Sequence, residues 1–326
     1  MPIRLLFLLP LLAACNAPAT APAEAPLELN IDRERITVSG ISSGAYMAGQ
    51  LHVAHSSLIG GAALLAGGPY ACAGGSIQQA LSLCTKGGDF DLDAIAERVS
   101  SLAESGAIDD PSNLADDRVW LFHGAADAVV DASVPAAAAD FYRRYVPPEN
   151  IALIDTVPAV HGMPTVSAGA PCGEMASPFI NACGFDAAGA LLEYLYGPLD
   201  EPAATTGELR TLDQHAFADA ELWGHAFLYV PEACAAGAAC GLHVAFHGCR
   251  QSAEFVGDAF AKDAGYNRWA ETNRLVVLYP QVASSKVAPL NPHGCWDWWG
   301  YTGEQYATKQ GAQVSAVVSL IDALMQ

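Results

Sequence analysis

Apolar residues fall along this chain in short blocks that end on glycine or a polar loop. The blocks are rich in Val, Ile and Leu and alternate little: RITVSG (35–40), LIGGAALLAG (58–67), RVWLFHG (118–124) and NIALIDTV (150–157), then HAFLYVP (225–231), GLHVAFHG (241–248) and RLVVLYP (274–280). Strands buried on both faces have this character, because helices cover each side of a parallel sheet. Between them, YMAGQLHVAHS (46–56) and DAFAKDAGYNRWAETN (258–273) carry helical patterns. QVSAVVSLIDALM (313–325) sets Val314, Val317, Val318, Ile321 and Leu324 at helical spacing. The alternation predicts an α/β fold with a mostly parallel sheet flanked by helices. Residues 198–222 are the segment that leaves the pattern, and no internal repeat or separate binding module is read.

The start of the chain follows a different rule. MPIRLLFLLPLLAAC has one basic residue, Arg4, and then an apolar run from Leu5 to Leu12, too short to span a bilayer as a helix. It reads as a signal peptide over 1–14. Leu12-Ala13-Ala14-Cys15 resembles a bacterial lipobox, which implies lipidation of Cys15 and a membrane anchor, with ordinary cleavage and secretion as the alternative. Residues 15–30 are then the lipidated cysteine and a Pro/Ala tether, and 31–326 a single catalytic domain. The expected location is the periplasm or cell surface. A formal net charge of −20 argues against nucleic acid as a partner.

Besides Cys15 there are eight cysteines, and an even number in an exported chain points to disulfides. Sequence does not settle their connectivity. Pairing nearest neighbours gives Cys72–Cys84, Cys172–Cys183, Cys234–Cys240 and Cys249–Cys295. No C-x-x-C pair supports zinc, and neither a metal nor a cofactor is expected.

Gly40-Ile41-Ser42-Ser43-Gly44 matches G-x-S-x-G, the strand-to-helix turn that presents a nucleophilic serine. Ser42 follows an apolar block and opens a helical pattern, so its context fits. The order Ser, then Asp, then His continues with Asp127 in LFHGAADAVVD and His161 in IDTVPAVHGMPT, each just past a predicted strand. Asp131 competes with Asp127 but reads better as a helix cap, and His52 and His55 read as structural. In this reading His161 takes the Ser42 proton while Asp127 fixes its tautomer. Ser43 offers one backbone N–H to the oxyanion. The other donor normally comes from a His-Gly loop earlier in the chain, yet here the matching LHVAFHGCRQ (242–251) comes late. A circular permutation explains this, with Cys249 N–H as the second donor. The aromatic patch NPHGCWDWWGY (291–301) either packs a core corner or, if Cys249 bonds Cys295, lines the site with Trp296, Trp298, Trp299 and Tyr301.

Taken in order, SGISSGAYMA, GGPYACAGG, FHGAADAVV, VHGMPT, FHGCRQS and NPHGCWDWWGY resemble the single-domain, circularly permuted poly(3-hydroxybutyrate) depolymerases, over about residues 36–303. The resemblance implies a serine esterase of α/β-hydrolase fold with Ser42, Asp127 and His161 as triad. It implies Ser43 and Cys249 as oxyanion donors, and a tryptophan near the site, Trp299 or a neighbour. The expected substrate is poly(3-hydroxybutyrate) or its oligomers, acted on by a monomer. Other esters (feruloyl, cutin-like, aromatic polyester) and a non-catalytic polymer-binding lipoprotein are the alternatives.

Overall fold

The aliphatic blocks pair side by side into one twisted sheet. The computed structural model describes residues 29–217 and 221–326; the signal-like segment, Cys15 and the tether to residue 28 lie outside them. The strands are β1 (Ile31–Ile41), β2 (Gly61–Leu65), β3 (Arg118–Phe122), β4 (Ile151–Ile154), β5 (Met163–Thr165), β6 (Ala170–Pro171), β7 (Ile180–Ala182), β8 (Glu208–Asp213), β9 (His225–Val230), β10 (Cys240–Phe246) and β11 (Leu275–Tyr279). Eight form the main sheet in the order β4-β3-β2-β1-β10-β11-β9-β8, while β5, β7 and β6 make a small separate one. Strands β4 through β11 of that row run parallel; β9 is antiparallel to β11, and β8 pairs antiparallel with β9.

This order is that of an α/β hydrolase cut and rejoined. Counting from β8 through β11 and then from β1 through β4, successive strands lie next to one another across the sheet, apart from one exchange between β10 and β11. The central neighbours β1 and β10 thus come from distant parts of the chain. They pair from Ile36↔Leu242 to Gly40↔Phe246.

Each face of the sheet carries its own core. Ile36 and Val38 of β1 join Leu242, Val244 and Phe246 of β10 under the helices Ser43–Ala54 and Ala312–Leu324. Ala63, Trp120, Ala245 and Val277 point the other way, against the helices Ala187–Tyr196 and Tyr266–Asn273. On that second face Thr37 and Ser39 interrupt the aliphatic run. Thr37 Oγ1 lies 2.8 Å from His243 Nδ1 and Ser39 Oγ lies 2.8 Å from His243 Nε2, while Tyr196 and Tyr266 hydroxyls reach Thr37 and Ser39. Burial pushes the His243 pKa down to about 3, so the ring is neutral and its two nitrogens have partners on β1.

Two sequence expectations change in detail. The helix expected over 258–273 is broken into Ala259–Asp263 and Tyr266–Asn273, with Gly265 at a left-handed φ of 99° between them. The 198–222 excursion contributes the edge strand β8. Among the described residues no helix is long and apolar enough to cross a membrane.

Phe246 has no exposed surface and meets Trp296 edge-on at 5.0 Å where β10 ends. Phe246→Ala should lower the unfolding free energy in urea by about 3–5 kcal/mol. A loss below about 1 kcal/mol would mean that this end of β10 does not depend on that packing.

Candidate active site

Strand β1 runs straight into Ser42, whose φ of 57° and ψ of −121° put it outside the regions favoured by L-residues. Strain of this kind persists only where surrounding contacts dictate it. The Ser42 N–H donates to Leu65 O at 2.8 Å, and the helix starts at Ser43. The two glycines of the pentapeptide are required by close approach. A Cβ on Gly40 would overlap the Gly44 carbonyl, and a Cβ on Gly44 would overlap the carbonyls of His247 and Phe246. The turn therefore lies directly against the end of β10.

The loops after β3 and β4 bring the other two groups in. Ala125 N–H donates to Val157 O at 2.7 Å and Ala126 N–H to Ala159 O at 3.1 Å, fastening one loop to the other. Asp127 Oδ1 accepts from the N–H groups of Val129 and Val130 at 2.8 and 3.0 Å. Its other oxygen lies 2.7 Å from His161 Nδ1, and His161 Nε2 lies 3.0 Å from Ser42 Oγ. The Asp127 side chain is 1% exposed and that of His161 14%. Burial raises the Asp127 pKa, but the hydrogen bond and charge of His161 and the two N–H groups outweigh it and hold the carboxyl below its ordinary value. An ionised Asp127 assigns the proton to Nδ1 and leaves Nε2 to accept from the serine. Asp131 instead accepts from Ser133 N–H at 2.9 Å at the start of the helix Ser133–Tyr142. His52 is buried between Tyr142 and Asp117, away from the site.

Ser43 N–H is one of the unpaired donors at a helix start. The loop after β10 faces it: a Cβ on Gly248 would stand 3.5 Å from Ser42 Cβ, and Cys249 lines the same cavity as Ser42, Ser43 and His161. That loop is fixed from three sides. Gln251 Oε1 accepts from Gly248 N–H at 2.8 Å and its amide donates to the carbonyls of Pro178 and Phe179. His247, kept neutral by burial with a pKa lowered to about 4, donates from Nδ1 to Gly248 O at 2.7 Å and accepts from Val282 N–H at 3.3 Å. Cys249 is bonded to Cys295, and Cys72–Cys84, Cys172–Cys183 and Cys234–Cys240 are also formed.

The cavity over Ser42 measures about 260 Å³ and adjoins an apolar hollow of about 600 Å³, the two sharing Leu81, Cys249, Arg250 and Trp298. Trp298 stacks on Tyr46 at 4.7 Å, and Trp299 and Tyr301 line the larger hollow. Trp296 corrects the sequence expectation: it has no exposed surface and packs beneath the loop against Phe246 and His247, so it supports the site without facing it. Asp297 shapes the aromatic loop, its carboxylate accepting from the N–H groups of Trp299, Gly300, Tyr301 and Thr302. Among the described residues no group of three His, Cys, Asp or Glu is placed to hold a metal ion.

Residues 225–326 match the family described as Esterase PHB depolymerase. A polyhydroxybutyrate depolymerase of Talaromyces funiculosus is 34% identical, covering 95% of this chain and 94% of its own length. A poly(3-hydroxybutyrate) depolymerase of Delftia acidovorans is 38% identical over 95% of this chain, which spans only 62% of that longer relative. The solved PHB depolymerase of Penicillium funiculosum superposes with a TM-score of 0.87 at 31% identity, covering 92% of this chain and 98% of that one. A PHB depolymerase complexed with an R3HB trimer gives the same values. The chain belongs to the PHB depolymerase family.

Within this PHB depolymerase-family site, sequence reading missed Met175 and Phe179, which line the Ser42 cavity together with Trp298, and the bracing by Gln251 and His247. Met175 and Phe179 lie in a loop without periodicity, so nothing local marked them. Gln251 and His247 stand inside the quoted FHGCRQ motif, and only their contacts reveal their task.

A carboxyl held below its ordinary pKa stabilises the folded chain above the unfolded value of about 4 and loses that contribution as pH falls. Asp127→Asn should therefore unfold at lower urea than the parent at pH 7, with the gap closing toward pH 3. A gap independent of pH would show that the carboxylate charge does not contribute.

Proposed function

We propose that this chain is an exported serine esterase that cleaves poly(3-hydroxybutyrate) or its oligomers through an acyl-enzyme on Ser42. The observation that carries the reading is the unbroken contact line from Asp127 through His161 to Ser42 Oγ. His161 Nε2 takes the serine proton as Oγ adds to the ester carbonyl, and Asp127 stabilises the imidazolium that results. The carbonyl oxygen, now negative, is met by Ser43 and Cys249 N–H; one such donor is worth roughly 3–4 kcal/mol in a preorganised site. The tetrahedral adduct collapses as His161 returns the proton to the leaving alkoxide, releasing an alcohol. A water then repeats the cycle and frees the carboxylic acid. No cofactor enters.

The substrate reading rests on the two hollows. Their walls are aliphatic, aromatic and nearly free of charge, as a 3-hydroxybutyrate chain with methyl branches requires. The related depolymerase complexed with an R3HB trimer supports the same class. Four disulfides fit an oxidising compartment and, with the signal-like start, favour export. Cys15 would then carry the lipid anchor that holds a monomeric enzyme at a membrane.

Ser42→Ala should reduce hydrolysis of a short-chain p-nitrophenyl ester by at least about a thousandfold while leaving the circular dichroism spectrum unchanged. Activity kept within tenfold would overturn the assignment.

A further inference from the structure

Arg250 follows the proposed oxyanion donor Cys249 and sits in an unusual backbone state, with φ of 61°. Its own contacts with His293 hold it there: the backbone N–H donates to His293 O at 2.7 Å, the side-chain Nε donates to His293 Nδ1 at 3.1 Å, and Nη2 lies 3.3 Å from His293 Nε2. Arg250 lines both the Ser42 cavity and the adjoining hollow. No other Lys or Arg and no Asp or Glu lines either one, and among the described residues no carboxylate pairs with Arg250. On a chain with 35 acidic and 15 basic residues, this leaves an exposed cation at the rim of apolar walls, with its Nη1 donors not engaged by His293. Its neighbour does not add charge, since burial and the Arg250 guanidinium both lower the His293 pKa.

A guanidinium in that setting favours a planar anion bound through two hydrogen bonds, and the anion that ester chemistry supplies is a carboxylate. An oligomer of 3-hydroxybutyrate ends in one. We infer that Arg250 is a specificity-determining residue that binds the free terminal carboxylate of a short oligomer while the neighbouring ester carbonyl sits at Ser42. The reach is suitable. Four bonds separate that carbonyl carbon from the carboxylate carbon, roughly 5 Å with bonds near 1.5 Å, and Arg250 is one residue, about 3.8 Å between Cα atoms, from Cys249. The enzyme thus trims acid-ended oligomers from their carboxyl end in preference to chains whose end is esterified. This inference rests on the hydrolase reading above and adds the substrate's terminal group.

The test compares the 3-hydroxybutyrate trimer as free acid with its methyl ester, in the parent, Arg250→Gln and Arg250→Lys. The parent should show a KM about tenfold lower for the acid, the size expected of a charge-assisted hydrogen-bonded pair. Arg250→Gln should bring the ratio of the two KM values to about one, and Arg250→Lys should keep part of the difference. Equal KM values in the parent would overturn the inference. So would a Gln variant that loses kcat equally on both substrates, since that marks a structural role in the oxyanion loop. If the parent cleaves neither substrate, the hydrolase reading fails instead. Labelling of Ser42 by a fluorophosphonate confirms that each variant keeps a formed site.

Discussion

Everything in the site depends on how closely the turn at Ser42 approaches the end of β10. Gly44 leaves no room for a side chain between the turn and the carbonyls of Phe246 and His247, and Gly40 leaves none between β1 and the Gly44 carbonyl. The contact fixes three things together: the left-handed backbone of Ser42, the direction of the helix behind it, and the proximity of Ser43 to Cys249. It joins segments far apart in sequence, through the same parallel pairing that sets Gly40 opposite Phe246. A side chain at Gly44 would push the Ser42 turn away from the loop that follows β10.

The polar groups around this contact are buried and uncharged where they hold strands, and charged only where chemistry requires it. His243 and His247 are both kept neutral by burial and serve as fixed struts, one tying β10 to β1 and the other shaping the loop that follows β10. A neutral ring with both nitrogens engaged avoids the desolvation cost of a buried charge. Asp127 is the opposite case, a buried carboxylate whose charge is retained by two N–H groups and the ring of His161. The acidic balance of the whole chain is absent from the site walls, where Arg250 is the charged residue.

Much of this was readable in the sequence, and the failures have physical causes. The seven aliphatic blocks all became strands of the main sheet, because burial on both faces leaves an unambiguous signature. Strand β8 was missed since ELRTLD is an edge strand, half exposed and rich in charge. The helix over 258–273 was drawn too long because an apolar period continues through Gly265, whose left-handed conformation ends one helix and starts the next. The strand-to-helix context located Ser42, and the late FHG loop revealed the permutation. In the aromatic patch the sequence could not separate Trp296 from Trp298, two residues apart on a loop that winds around the Asp297 carboxylate. Only that winding decides which ring faces the cavity.

The central claim is that the Asp127–His161–Ser42 line makes Ser42, and not its neighbour Ser43, the nucleophile. The most direct measurement is peptide mapping by mass spectrometry after labelling the folded protein with a fluorophosphonate. The account predicts one label per chain, on Ser42, and none when His161 is replaced by alanine. An unlabelled protein, or a label on Ser43, would contradict it.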